Sequence, residues 1–183
     1  MAMTRLAPLL RALLGGYACF RILTLPPQAT ESPRASRCRE LTDISELERS
    51  AFADLQSLAQ YKAQDAFCFV ADDGPSIIGA CWYWYGETYR RRNFWPLQSR
   101  EAKLVQVTTA QEYRGRGVAE DLIRFSSSAM FRKGFGPLYA RVWHSHKASL
   151  RAFEKAGWRE IAIVVEIFPF GKKLRFVRQC RQD

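Results

Sequence analysis

Between Lys103 and Gly134 the chain runs through a strand-like stretch, a loop with glycines at two alternate positions, and a helix, and that order admits few folds. Lys103 to Thr109 has the Val/Thr-rich pattern of a strand. From Val118 onward, Val118, Leu122, Phe125 and Ala129 recur at helical spacing. Glu120 and Asp121 fall in the first turn, Arg132 and Lys133 in the last, and Gly134 follows as a stop signal. The intervening loop carries Gly115 and Gly117, which have no Cβ and let backbone come close to a ligand. The unpaired N–H groups at a helix start, with the positive end of its dipole, attract anions. Arg114 and Arg116 add full charges, so phosphate is the natural guest.

Two common phosphate motifs are excluded. No GxxxxGK[ST] string is present, and a dinucleotide GxGxxG would need glycine where Glu120 stands. What remains is R-x-x-G-x-A, from Arg114 through Gly117 to Ala119. The formal charge of +10 suits nucleic acid, an anionic membrane or a polyphosphate compound alike, so it does not choose among them. A single R-G-R-G unit inside a strand–helix junction is not an RNA-binding tract, and no nucleic-acid partner is expected.

With 183 residues, 48% of them apolar, the chain suits one domain with a short appendage. Residues 1–37 read as an N-terminal extension. In it, Leu6, Leu9, Leu10, Leu13 and Leu14 give a short amphipathic helix over 4–14, Tyr17 to Leu25 a strand, and Pro26 to Arg37 a linker. The helix packs on its own domain or, with Arg5, Arg11 and Arg21 and no acid before Glu31, makes weak contact with a membrane surface. No run is long enough to span a bilayer. The main domain is expected over 38–183. It opens with a helix started by the capping pattern of Asp43 and Glu46, with Ile44, Leu47, Ala51, Leu55 and Leu58 on one face. Phe67 to Ala71 and Ile77 to Tyr85, joined at Asp72-Asp73-Gly74, form a hairpin, and Glu87 to Arg100 is a loop or strand extension. Five scattered cysteines without a CxxC pair argue against a disulfide framework or zinc, and for a reducing, cytoplasmic setting.

The stretch Q-E-Y-R-G-R-G-V-A-E-D-L-I resembles the pyrophosphate-binding signature of GNAT-type N-acyltransferases. A second stretch, V-W-H-S-H-K-A-S-L-R-A-F-E-K-A-G-W, reads as a strand and a helix capped near Ser145 and ended by Gly157. It is similar to the family's second cofactor motif, N-x-A-S-x-x-x-Y-E-K-x-G-F, with His146 at the Asn position, Phe153 at the Tyr and Trp158 at the Phe. Ile161 to Phe168 and Lys173 to Val177 match its closing hairpin. The resemblance covers about residues 38–178. It implies an α+β, three-layer fold with a mixed, mostly antiparallel central sheet flanked by helices.

The resemblance also implies acyl-CoA, acetyl-CoA above all, as donor, with direct transfer to an amine. Val107 and Thr109 would offer backbone groups to the pantetheine arm and thioester carbonyl. Arg114, Gly115, Arg116, Gly117, Val118 and Ala119 would hold the pyrophosphate, and His146 would meet the pantetheine amides. Many relatives use the Tyr position to protonate the leaving thiolate, which Phe153 cannot do. His144, His146 or Tyr83 then acts as acid, the thiolate leaves unaided, or the domain binds acyl-CoA without turnover. No serine or cysteine has a base partner, and no metal is called for. The acceptor is expected to be a small-molecule amine such as an amino sugar or amino acid. The rival reading is a catalytically silent acyl-CoA-binding or nucleic-acid-associated module. An aromatic wall with Arg90 to Arg92 would suit an anionic acceptor such as a nucleotide-linked sugar.

Overall fold

The computed structural model describes residues 16–27, 37–92 and 94–180. The amphipathic stretch at 4–14 lies outside them. Eight strands form one sheet: β1 (Tyr17–Leu25), β2 (Cys38–Glu40), β3 (Ala66–Asp73), β4 (Ser76–Trp84), β5 (Ala102–Thr109), β6 (Leu138–Trp143), β7 (Arg159–Ile167) and β8 (Leu174–Gln179). Their order across the sheet is β2-β3-β4-β5-β6-β1-β7-β8. Every neighbouring pair is antiparallel except β5 with β6. Among the described residues five α-helices accompany them: α1 (Ile44–Glu48), α2 (Ala53–Gln56), α3 (Gly86–Arg90), α4 (Val118–Arg132) and α5 (Lys147–Lys155). The expected mixed, mostly antiparallel sheet flanked by helices is what the chain builds. Among the described residues no helix is long and apolar enough to cross a membrane.

One element departs from the sequence reading. β1, assigned above to an extension before a domain at 38, lies inside the sheet, paired with β6 from Phe20 to Leu25 and with β7 from Tyr17 to Thr24. Its alternate residues Phe20 and Ile22 face one side of the sheet, and Leu23 and Leu25 join the core on the other. β1 is therefore part of the folded unit, because β6 and β7 are not paired with each other and need it as their common neighbour.

The helix expected from Asp43 to Leu58 is broken in two. Asp43 does cap α1, its side chain accepting from the Ser45 amide at 2.9 Å. Glu46 does not return the bond and instead accepts from Arg39 at 2.6 Å. Ser50 ends the helix: its Oγ accepts from the Phe52 amide at 3.3 Å and its carbonyl from the Gln56 side chain at 2.7 Å, the local competition with helical pairing expected of serine. Leu47, Leu55 and Leu58 still reach one apolar cluster, through α1, α2 and a 3-10 turn at Ser57–Tyr61.

Strand alternation sorts the core into two layers. On one side α4 packs over β2 to β5, burying Val118, Leu122, Ile123, Ala129 and Met130 against Phe69, Ile78 and Tyr83. On the other side, α1 and α2 cover Val70, Ala80 and Trp82. A separate cluster of Phe20, Ile22, Ala162 and Val164 lies under Phe94.

Candidate functional site

The site is made by one strand leaving its neighbour. β5 and β6 pair only at Ala102↔Leu138, Lys103↔Tyr139 and Leu104↔Ala140. Beyond that point β5 remains paired with β4 as far as Thr109↔Gly79, but its other edge has no sheet partner. The cause is local. Trp82 pairs with Gln106 and Tyr83 with Leu104, which leaves Val105 as an extra residue. Such a bulge bends its strand and increases its twist. The free edge of residues 105–109, with Val107 and Thr109 in it, presents backbone groups without a strand partner to the gap.

At the far end of β5 the chain turns into α4 through the glycine loop. Gly115 and Gly117 sit at φ +79° and +77°, a left-handed conformation that glycine takes without penalty. A Cβ at either would meet no atom within 4 Å, so both border open space. The first bond of α4 runs from the Asp121 amide to the Gly117 carbonyl, 3.0 Å. The amides of Val118, Ala119 and Glu120 precede it and have no intrahelical acceptor. No side chain caps this end. The helix start is pressed onto the sheet because β4 has glycine beneath it, Gly79, whose Cβ would come within 3.0 Å of Val118 Cγ1. Arg114 is exposed, donates to the Thr109 carbonyl at 3.3 Å and pairs with Asp54 at 3.2 Å. Arg116 lies over the Tyr113 ring at 5.1 Å. Open glycines, unspent amides and two exposed guanidinium groups fit a diphosphate.

On the sheet face away from α4, a cavity of about 210 Å³ opens at the same divergence point. Lys103, Gln106, Arg141 and Trp143 line it from β5 and β6, with Tyr61 and Trp84 on one side and Tyr89, Arg92 and Phe94 on the other. Its walls are held firmly. The Trp84 indole donates to the Tyr61 carbonyl at 2.8 Å. The Tyr89 hydroxyl donates to the Trp95 carbonyl and accepts from the Trp95 amide, both at 2.9 Å, which fixes the loop carrying Phe94.

A family model for the acetyltransferase (GNAT) family matches residues 35–158. The chain belongs to the GNAT acetyltransferase family. Solved GNAT-family acetyltransferases have its fold at low identity. One from Novosphingobium aromaticivorans shares 18% identity at a TM-score of 0.59, over 83% of this chain and 64% of that one. Another, from Colwellia psychrerythraea, shares 15% at 0.62, over 90% and 61%. A third, from Sphaerobacter thermophilus, shares 15% at 0.52, over 97% and 56%. The chain thus spans less than two thirds of each of these relatives. Comparison with curated proteins gave no significant match.

In this GNAT chain the three acid candidates do not come together. Tyr83 is wholly buried beneath α4, its hydroxyl 3.3 Å from Ser126 Oγ and 3.2 Å from Ser127 Oγ. Burial pushes its phenol well above the ordinary value. A group sealed in this way reaches no reacting atom. His144 and His146 are exposed, but β6 ends at Trp143, so strand alternation does not align them. His144 lies 3.4 Å through Nδ1 from the Cys19 carbonyl. His146, rather than Ser145, is the residue that starts α5, and its ring caps nothing. Neither lines the cavity. Phe153 is 3% exposed and packs edge-on against Trp158, ring centres 5.0 Å apart, so it belongs to the core. Of Arg90 to Arg92, only Arg92 lines the cavity, while Arg90 pairs with Glu87.

Sequence reasoning missed Lys103 and Arg141 altogether. Lys103 is 5% exposed, yet a lone lysine at an alternate strand position ordinarily reads as solvent-facing. Only the loop that lays Phe94 over this face of the sheet reverses that reading.

Proposed function

We propose that the chain transfers an acyl group from a CoA thioester directly to the amine of a small molecule. The observation that carries this is the parting of β5 from β6, with an open helix start at one end and a walled cavity on the opposite face. The donor supplies an activated carbonyl on a sulfur leaving group. The amides of Val118, Ala119 and Glu120, with Arg114 and Arg116, hold its diphosphate. The free edge of β5 near Val107 to Thr109 takes the amides of the pantetheine arm and the thioester oxygen. The acceptor enters from the cavity side, its nitrogen bonds to the carbonyl carbon, the C–S bond breaks, and the proton lost by nitrogen balances the thiolate. Phe153, at the position where many relatives carry the tyrosine, is in the core and has no proton to give that sulfur. We infer that thiolate departs to solvent or takes its proton from water, since a general acid adds about 10²–10⁴-fold rather than the whole rate.

Thiol release from acetyl-CoA, measured against a panel of small amines, tests this. Release is expected to depend on the amine added. Tight CoA binding without such dependence would favour a silent binding module instead. Tyr83→Phe is expected to leave amine-dependent release unchanged and to cost about 1 kcal/mol of stability, read by thermal denaturation, because it removes only core hydrogen bonds. A large loss of turnover with an unchanged melting temperature would return Tyr83 to the chemistry.

A further inference from the structure

The cavity holds a concentration of positive charge that acyl transfer to a neutral amine does not require. Lys103 Nζ lies 5.3 Å from the ring centres of both Tyr89 and Phe94. The guanidinium carbons of Arg141 and Arg175 each stand 4.2 Å from the Phe94 ring centre, so one phenylalanine carries three cations. Arg92 reaches over the Trp84 ring at 5.0 Å. An aromatic face attracts a cation but cancels none of its charge. Carboxylates on neighbouring elements are engaged elsewhere. Glu166 pairs with Lys173 at 2.6 Å, and Glu101 accepts from the Gln98 amide at 2.7 Å and the Tyr139 hydroxyl at 3.3 Å. Glu166 acts on Arg141 only through space. Among the described residues, Lys103 has no ion pair.

A buried ammonium without a counter-ion is costly, and an anion seated beside it would offset that cost. We propose that this cavity binds the acidic group of the acceptor, a carboxylate or phosphate, with Lys103 at its floor and Arg92 and Arg141 on its walls. The acceptor is then an amine carrying an acidic group. This rests on the acyl-transfer reading, which puts the acceptor on this face. Gln106 and Trp143 carry the cavity to the gap between β5 and β6, so an acid seated on Lys103 leaves its amine facing the free edge of β5.

Titration of Lys103 gives a second signature. Burial first, then Arg141 and Arg175, bring its pKa down to about 7. An acidic ligand favours the charged lysine, so affinity should fall as pH rises through 7. Stability of the empty protein moves the other way. Above pH 7 the folded lysine has lost its proton while the unfolded one keeps it, so stability rises with pH from about 7 until the unfolded lysine also titrates.

The test compares 2-aminoethyl phosphate with ethanolamine, and β-alanine with its amide. Binding is read by the fluorescence of the tryptophans that line the cavity, and CoA affinity is measured separately. In the wild type the acidic member of at least one pair is expected to bind about tenfold or more tightly, and the pair that shows it distinguishes phosphate from carboxylate. Lys103→Met should erase the preference, leave CoA affinity unchanged and raise the melting temperature at pH 6, and Arg141→Gln should weaken the preference. The proposal is overturned if the wild type shows no preference in either pair, or if the preference survives both substitutions. Acidic amines that bind without releasing thiol would sink the transfer reading and leave the anion site standing. Neutral amines that release thiol with no acidic preference would do the reverse.

Discussion

Replacing Arg114 and Arg116 with glutamate, together with Gly115→Val and Gly117→Val, is expected to abolish CoA binding in a protein that still folds. Each part acts by a different route. A charge-assisted hydrogen bond contributes about 1.5–3 kcal/mol, so losing either arginine should weaken CoA roughly ten- to a hundredfold. The new carboxylates would repel a diphosphate and, at position 114, also Asp54, now Arg114's partner at 3.2 Å. The valines fill space that is open in the native loop and strain a backbone at φ +79° and +77°. Because all four residues are exposed, the melting temperature should fall far less than the affinity. Isothermal titration with CoA, at low and high salt, checks the claim. The single Arg116→Glu variant should lose affinity mostly at low salt, since exposed charges are screened. A folded quadruple variant with undiminished affinity would remove the diphosphate from the start of α4.

The glycine loop and α4 were legible because every level of the sequence agrees there. Strand pattern, glycines, apolar spacing, acidic first turn and stop glycine all point to one local structure. The cavity was not legible, for a reason visible in particular residues. Lys103 and Arg141 lie in alternating strands, and the alternation says only that they share the face opposite Leu104 and Ala140. Whether that face is wet depends on the loop after α3, where Tyr89 and Trp95 exchange two hydrogen bonds to bring Phe94 down. Nothing within a few residues of Lys103 encodes this. Tyr83 shows the same limit from the other direction. The strand from Ile77 to Tyr85 was clear, but which of its faces would lie beneath α4 was a tertiary fact.

The most consequential misreading concerned β1, and it leads to the largest expected effect on stability. Pro26-Pro27 and the polar stretch after it resemble a linker, so the strand before them reads as part of an extension. Strand order is a long-range property, and the partners of β1 lie more than a hundred residues away at Leu138–Trp143 and Arg159–Ile167. Phe20, Ile22, Leu23 and Leu25 are each at most 6% exposed. Fully burying side chains of this kind contributes about 1.5–3 kcal/mol apiece, so four of them rival the ~5–15 kcal/mol that holds a typical domain together. A chain starting at Gln28 would lose that burial and leave β6 and β7 each with an unpaired edge. It is expected to be unfolded or aggregated at 25 °C, as read by circular dichroism and gel filtration. Ile22→Ala in the full-length chain should cost about 2–5 kcal/mol, whereas Tyr17→Ala at the exposed start of the strand should cost about 0.5 kcal/mol or less. The site would fail with the sheet, because β6 supplies Arg141 and Trp143 to the cavity and leans on β1 along its other edge. If the truncated chain instead melts cooperatively near the full-length temperature, another strand has taken the place of β1 between β6 and β7. β8 is the one free to do so: it lies at the sheet edge, all six of its residues exposed and only β7 beside it.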